Sequence, residues 1–495
     1  MIRNNKLYAA LTCLVLLTSC GSDFLDTENT ENLDKETVGS LKQFDPFLLG
    51  AFSFMAKADV LDKKEDAAHD DFSVMSVLHS TDLMGEDIAL SNFHWFGYDY
   101  NHDNHLFSLR RTLEDWTTYY TIVSKANEII DLFQVEPTDV ASKAALAHGY
   151  ALRGYAYYYL IQLYQHPVKA DTTVNYDAPG IPMFYCQIDS LTDEVKTARK
   201  GRNTLRLVYE QIESDLTKAV RLFDGYTRPS KNYMDKSVAQ GLLARYYLLS
   251  QQWLKASQAA SAAYVGYNLV SDLNDGFSDI SNTEWMWGYD ETSLSQTTYA
   301  SFFSHISNLT PGYAGLGYSA RLIDKRLYDK IPSSDIRKNW FNGPAGDATQ
   351  SMPGAQLPYA NLKFGWLAGW VMDYMYMRVP EMYLIKAEAL AHLGQGAQAA
   401  NALRPLMAVR DAAWNKTTVS VEDVYLQRRI ELWGEGFSFF DLKRLNKGIN
   451  RNYDGSNHLE GYKLEVPALD KTWIYQLPDQ EMQENKHLSQ ADQNE

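Results

Sequence analysis

The sequence predicts an all-α protein for the most part: a scaffold of tetratricopeptide-like helix pairs with long irregular loops and little β-structure. Three observations lead there. Apolar residues recur at helical spacing in three separate blocks after residue 100. Two further blocks place small and large residues at the offsets that tetratricopeptide pairs use. Between the blocks lie irregular stretches too long for simple turns, and their aromatic content argues against disorder. With 495 residues, 45% of them apolar, the chain can bury a sizeable core.

The chain opens with Arg3 and Lys6, then an eleven-residue apolar run from Leu7 to Leu17, too short to span a bilayer as a stable helix. Thr18-Ser19-Cys20-Gly21 follows. A basic region, an apolar region and small residues mark a secretory signal. The cysteine directly after them makes it resemble a bacterial lipoprotein signal, in which cleavage precedes the cysteine and the cysteine is acylated. Residues 1–19 are expected to be a lipoprotein signal peptide, with Cys20 as the lipid attachment residue. Residues 20–40 are polar and acidic and read as a tether from a membrane. Cys13 leaves with the signal and Cys186 then stands alone, so no intramolecular disulfide is expected.

The formal net charge is -16, and loss of Arg3 and Lys6 with the signal takes it to -18. That sign excludes a nucleic-acid backbone as partner. A neutral glycan is indifferent to it.

Each helical block has its own pattern. In 117–133, Tyr120, Val123, Ile130 and Phe133 fall on one face. In 148–165, Leu152, Tyr155, Tyr159, Leu160 and Leu163 share a side, and in 205–223 Leu205, Val208, Ile212, Leu216, Ala219 and Phe223 do the same. In 237–264, Ala244, Tyr247, Ala256 and Ala263 sit at tetratricopeptide offsets; in 381–403, Ala387, Leu390, Gly394 and Ala399 do. Small residues let two helices approach closely while large ones fill the space beside them. An N-terminal helical part over 41–267 and a C-terminal part over 268–495 are expected.

Tests for chemistry are mostly negative. The chain has no GxxxxGK[ST] loop, GxSxG elbow, HExxH or CxxC. Gly315–Ala320 is half a dinucleotide fingerprint with no clear strand before it. Asp99–Asp103 begins like a calcium loop, but Asn104 stands where glycine is required and Arg110 where a bidentate glutamate is required. An irregular calcium site there is the one metal option; otherwise no metal and no cofactor is expected.

The segment RRIELWGEGFSFFDLKR (428–444) crowds charges among aromatics. Ile430 and Trp433 share a helical face, and Gly434 and Gly436 end that helix or let other backbone approach. Glu431 and Glu435 lie one turn apart, near the separation of a retaining glycosidase pair, but on one helix they would share one side of a sugar instead of flanking its bond. Charges amid so much apolar surface must be paired. Arg428 and Arg429 against Glu431, Glu435 and Asp441 suit mutual pairing, a structural role.

The same segment, with Arg428, Arg429, Glu431, Trp433, Glu435, Asp441 and Arg444, closely resembles the signature of the SusD-like (RagB/SusD) family. Arg378, Glu381, Tyr383, Leu384, Ala387, Glu388 and Ala389 resemble another family motif. Pro478, Glu481, Asn485, Leu488 and Gln490 match its closing segment, and Cys20 with Phe24-Leu25-Asp26 matches its start. The resemblance implies four tetratricopeptide-like units, a lipid-anchored place on the outer membrane facing the exterior, and a loop face that binds a glycan or an oligopeptide. It also implies a TonB-dependent SusC-like β-barrel partner over which the protein closes as a lid, and no catalysis.

The family carries no universal ligand motif, so ligand residues are inferred from composition. Aromatic faces cover sugar C–H faces and polar groups bind hydroxyl rims. Residues 92–104 are the first candidate, with Phe93, His94, Trp95, Tyr98, Tyr100 and Asn101. Trp287 and Tyr289 alternate in a stretch that suits a short strand and resembles a family segment that packs inside. Trp366 and Trp370 lie in a glycine-broken loop. Glycan capture without catalysis is the leading expectation. Its rivals are oligopeptide capture, a lipid-anchored helical glycoside hydrolase and a tetratricopeptide adaptor.

Overall fold

The computed structural model describes residues 41–62, 68–273, 275–365 and 367–495. The signal, the tether, Cys20 and Trp366 lie outside the described residues. Helices of seven residues or more are numbered here α1 (Asp45–Met55), α2 (Val74–Leu83), α3 (Arg110–Ile130), α4 (Val140–Tyr164), α5 (Leu205–Leu222), α6 (Lys236–Leu249), α7 (Trp253–Ala263), α8 (Val379–His392), α9 (Gly396–Arg410), α10 (Val421–Glu431) and α11 (Ser438–Arg444).

From α3 to α9 each helix packs on the next, and α10 packs on α8. This is the expected array of antiparallel helix pairs. Starts are fixed locally: Asp139, Thr204 and Asp235 cap α4, α5 and α6 by accepting a backbone N–H from the first turn, and Ser420 with Asp423 forms a capping box for α10. Ala244, Ala256 and Ala263 are fully buried between α6 and α7, with Tyr247 beside them. Ala387 and Ala399 are buried between α8 and α9, and Gly394 turns the chain between them at φ +73.

One face of α5 is buried, as its pattern predicts, but α4 is buried all round. It lies between α3 on one side and α5 on the other, so its tyrosines Tyr150, Tyr155, Tyr157 and Tyr164 point into packing in every direction.

The β-structure is three antiparallel two-stranded ribbons, each joining distant segments. β1 (Ile88–Leu90) pairs with β3 (Arg321–Ile323), β2 (Trp285–Tyr289) with β4 (Tyr374–Arg378), and β5 (Ile449–Asn450) with β6 (Glu465–Val466). β1 packs against α2, β2 against α6 and β4 against α8. The C-terminal segment straps down: the Tyr475 amide donates to the Leu163 carbonyl (3.0 Å) and the Asn494 side-chain amide to that of Tyr164 (2.9 Å).

Candidate functional site

Residues 92–104 fold around a single helical turn, Gly97–Tyr100. Phe96 and Tyr100, four apart, turn inward and are buried; Trp95 and Tyr98 turn outward, 36% and 57% exposed. Gly97 is required because Phe93 folds back over it: a Cβ there would meet the Phe93 ring at 2.6 Å. Phe93, His94, Trp95 and Tyr98 thereby form one wall of an open cleft of about 850 Å³, whose lining also includes Tyr313, Leu109 and the first residues of α3.

The polar floor comes from α3 and the segment before α2. Arg110 donates to both Asp70 oxygens (2.6 and 2.7 Å) and to Glu114 (2.6 Å). Arg111, fully buried, donates to Asp70 (2.8 Å), Glu114 (2.6 Å), Asp99 (3.2 Å) and Ser76 (2.8 Å). Burial pushes the neighbouring carboxyls up: Asp71, Asp99 and Glu114 rise, and Asp115, whose two oxygens have no partner in the interior, is pushed up to about 8. Behind the wall, buried Arg321 donates to His79 Nε2 (3.0 Å) and to the Ser319 carbonyl (2.6 Å). Burial and then Arg321 depress the His94 pKa below the usual histidine range.

More rings join the wall than its own loop supplies. His69 stacks on Tyr299 (centroids 6.1 Å, planes 10° apart) and lies 5.4 Å from Trp95, while its Nδ1 shares a 2.6 Å hydrogen bond with the Tyr313 hydroxyl. His94 lies 6.2 Å from Trp95 and 5.9 Å from Tyr318. Tyr299, Tyr313, Tyr318, His69, Asp70 and Arg110 are not singled out by the sequence. The signal that could have found two of them is Gly312–Ser319, two tyrosines in a glycine-rich loop.

The remaining candidates sit elsewhere. Tyr100 is a core residue, hydrogen-bonded to His458 Nδ1 (2.6 Å). Asn101, half-exposed, is not part of the cleft lining and donates to Asp103 (2.6 Å), which is. Trp287 and Tyr289 are corrected to core positions: all five residues of β2 are buried, because the bulged ribbon is covered on both faces, and Tyr155 of α4 packs edge-on against Trp287 at 5.3 Å. Trp370 is half-buried against the core at φ +62, apart from the cleft. In the stretch that begins like a calcium loop, Asp99 pairs with Arg111 and Asp103 with Asn101. Among the described residues no group of three or more His, Cys, Asp or Glu is placed to hold a metal ion.

The signature segment is interior. Glu431 is completely buried and receives Arg378 (2.6 Å), Arg337 (3.1 Å) and Arg410 (3.1 Å). Burial works to raise its pKa, but Arg410, Arg378 and Arg337 outweigh it and hold the carboxyl well below the usual range. Glu435 receives Arg378 (2.7 Å) and Lys363 (2.5 Å). Arg428 pairs with Asp441 (3.0 Å), and Arg444 with Asp441 (2.8 Å) and Glu388. Arg429 reaches Asp87 and Glu86 at the start of β1, and Trp433 Nε1 donates to the Asp87 carbonyl (2.9 Å). The expected pairing within the segment holds for Arg428 with Asp441. For Arg429, Glu431 and Glu435 it is corrected, since their partners come from segments 50 or more residues away, apart from Arg410, 21 residues before Glu431. Gly434 and Gly436 adopt φ +77 and +86, and a Cβ on Gly436 would meet Leu78 at 2.6 Å.

Fold and site define a helical-repeat protein that carries an open aromatic cleft beside a charge-paired interior. A family model described as "starch-binding associating with outer membrane" matches residues 23–248, and the SusD family model matches residues 369–494. The chain belongs to the SusD (RagB/SusD) family, whose members are outer-membrane-associated glycan-binding proteins. Among solved structures it is similar to a SusD-like carbohydrate-binding protein from Bacteroides vulgatus ATCC 8482 (26% identity, TM-score 0.76, covering 92% of this chain and 98% of that one). Two others share the fold. A laminarin-binding SusD-like protein is 17% identical with TM-score 0.66 over 92% of this chain and 99% of its own. Surface glycan-binding protein A from Bacteroides uniformis is 16% identical with TM-score 0.67 over the same shares. No curated protein matches by sequence. Among the described residues no helix is long and apolar enough to cross a membrane.

Proposed function

We propose that this chain is a cell-surface lipoprotein, anchored to the outer membrane through Cys20, that captures a glycan in the cleft. It passes the glycan unaltered to a TonB-dependent SusC-like β-barrel transporter, over which it closes as a lid. The observation that carries the reading is the cleft wall: Trp95 and Tyr98 present exposed rings beside hydrogen-bonding groups of Arg110, Asn104 and Asp103. Covering about 60–100 Å² of ring and sugar apolar surface contributes roughly 1.5–2.5 kcal/mol per platform. Two or three platforms, less the cost of association, give an affinity on the order of millimolar to tens of micromolar.

The absence of catalysis is part of the proposal. It is supported by Glu431 and Glu435, which are held by four buried cations and lie outside the cleft lining. Family membership supports the anchor, transporter and lid. Similarity to proteins described as binding laminarin or surface glycans supports sugar over peptide as cargo.

The test is retardation in polysaccharide-containing gels and titration calorimetry across a glycan panel, with reducing ends assayed in parallel. Binding without new reducing ends, weakened about tenfold or more by Trp95→Ala, is the expected result. Release of reducing ends that survives repurification would overturn the non-catalytic reading, and binding only to oligopeptides would overturn the sugar. Pull-down from solubilised outer membrane should recover a barrel transporter.

A further inference from the structure

We propose that the cleft selects an uncharged glycan chain, several sugar units long, and rejects chains bearing carboxylates or sulfates. This rests on the cleft being the glycan site.

The first observation is charge. Among the described residues, the guanidiniums at and behind the cleft are Arg110, Arg111 and Arg321. The first two are already claimed: Asp70 takes both, Glu114 takes both, and Asp99 takes Arg111. Arg321 has no carboxylate partner, but it is 1% exposed and its donors are spent on Ser319 and His79. Around these three cations stand Asp70, Asp71, Asp99, Asp103, Glu114 and Asp115. Burial raises the pKa of Asp71, Asp99, Glu114 and Asp115, which leaves Asp70, clamped by Arg110 and Arg111, and Asp103 at the mouth. An anionic sugar entering the cleft meets no uncompensated positive charge, and it meets exposed Asp103 at the mouth. Repulsion of like charges at close range is felt even at physiological salt.

The second observation is what Arg110 can still donate. Its side chain is 31% exposed, and the two carboxylates fix its orientation while engaging only part of its five N–H donors. A pre-oriented, charge-neutralised guanidinium suits adjacent hydroxyls, because no new ion pair is needed and little side-chain entropy is lost on binding.

The third is length. Tyr299, His69, Trp95, His94 and Tyr318 cluster around Tyr313, each 4.9–6.4 Å from its ring. Tyr299, Trp95 and Tyr318 in this cluster are exposed. One pyranose covers one such ring; three exposed rings ask for more than one sugar unit.

The experiment titrates the full chain with neutral gluco-, galacto-, manno- and xylo-oligosaccharides of increasing length, and with oligomers of polygalacturonate and alginate. A neutral series should bind, at least about tenfold more tightly for long chains than for the monosaccharide. The acidic oligomers should bind at least about tenfold more weakly, gaining as salt is raised. Asp103→Asn should increase retention of polygalacturonate. Tyr318→Ala should reduce the gain in affinity with chain length. An acidic series binding more tightly than every neutral one, with that binding lost in Trp95→Ala, overturns the selectivity and leaves the cleft assignment intact. Monosaccharide binding as tight as that of the long chains overturns the length claim. Binding insensitive to both Trp95→Ala and Tyr98→Ala, or no binding at all, overturns the cleft assignment and this inference with it.

Discussion

Replacing Glu431 with glutamine tests whether the signature segment is a lock. In the native interior Arg337, Arg378, Arg410 and Lys363 are balanced by Asp335, Glu284, Glu431 and Glu435, four against four. The glutamine side chain has nearly the same shape but no charge, so four cations face three anions with no water to compensate. Breaking a buried pair in this way costs about 3–5 kcal/mol. The loss also has a pH signature. The Glu431 carboxyl is held well below its ordinary value in the folded state, so its stabilisation is fully present above the unfolded carboxyl pKa, about 4.3. It disappears as pH falls through the depressed folded value. The difference between wild type and Glu431→Gln should therefore be greatest and constant from about pH 5 to 8 and shrink only in strong acid. Urea unfolding followed by tryptophan fluorescence at several pH values reads both. A variant within about 0.5 kcal/mol of wild type at pH 7, or one that folds normally and loses only glycan binding, would refute the lock.

Other perturbations separate core from cleft. Trp287→Ala should cost about 3–5 kcal/mol of stability, because the indole is fully buried in β2, and any folded fraction should bind glycan as wild type does; calorimetry on refolded, size-selected protein checks this. Asp82 is buried and accepts the Gly436 and Ser438 amides (2.8 and 2.9 Å); burial raises its pKa to about 7. Its folded value lies above the unfolded one, so its contribution is intact below about pH 4 and is lost as pH rises through 7. Asp82→Asn should hence flatten the fall in stability between about pH 4 and 7, read by thermal unfolding across that range. Gly436→Ala should destabilise by about 1–3 kcal/mol in urea unfolding, since it combines φ +86 with a contact against Leu78.

What could be read from sequence divides along the reach of the forces involved. Helices α5, α6 and α7 announce themselves because the periodicity and caps of α5 and α6 and the alanines of the α6–α7 hairpin act locally. Helix α4 shows the limit: its pattern identifies a helix, but a residue's burial on the second and third faces depends on α3 and α5, which the pattern does not name. The strand at 285–289 is legible from alternating aromatics. That both its faces are covered is not, because its partner β4 begins 85 residues after β2 ends. In the cleft, Trp95 and Tyr98 stand out by composition, and Tyr100 looks equivalent to them. A four-residue turn sends Tyr100 inward, and no window that short carries a usable period. Tyr299, Tyr313 and His69 reach the same wall from segments far apart in the chain, which no local rule could assemble.

The charged segments follow one logic in two places. At 428–444, cations and carboxylates match and are sealed, so the segment fixes α10, α11, β1 and the loops carrying Lys363 and Arg337 against one another. At the cleft floor Arg110 and Arg111 are likewise matched by carboxylates, but there the arrangement stops at a surface, with Arg110 partly open beside Trp95. A catalytic carboxylate needs freedom to exchange a proton with a substrate at reach. Glu431 and Glu435 have lost that freedom to guanidiniums, and Asp70 and Glu114 have lost it to Arg110 and Arg111. What remains exposed in the cleft is a ring surface, a clamped donor and Asp103, equipment suited to holding a sugar chain.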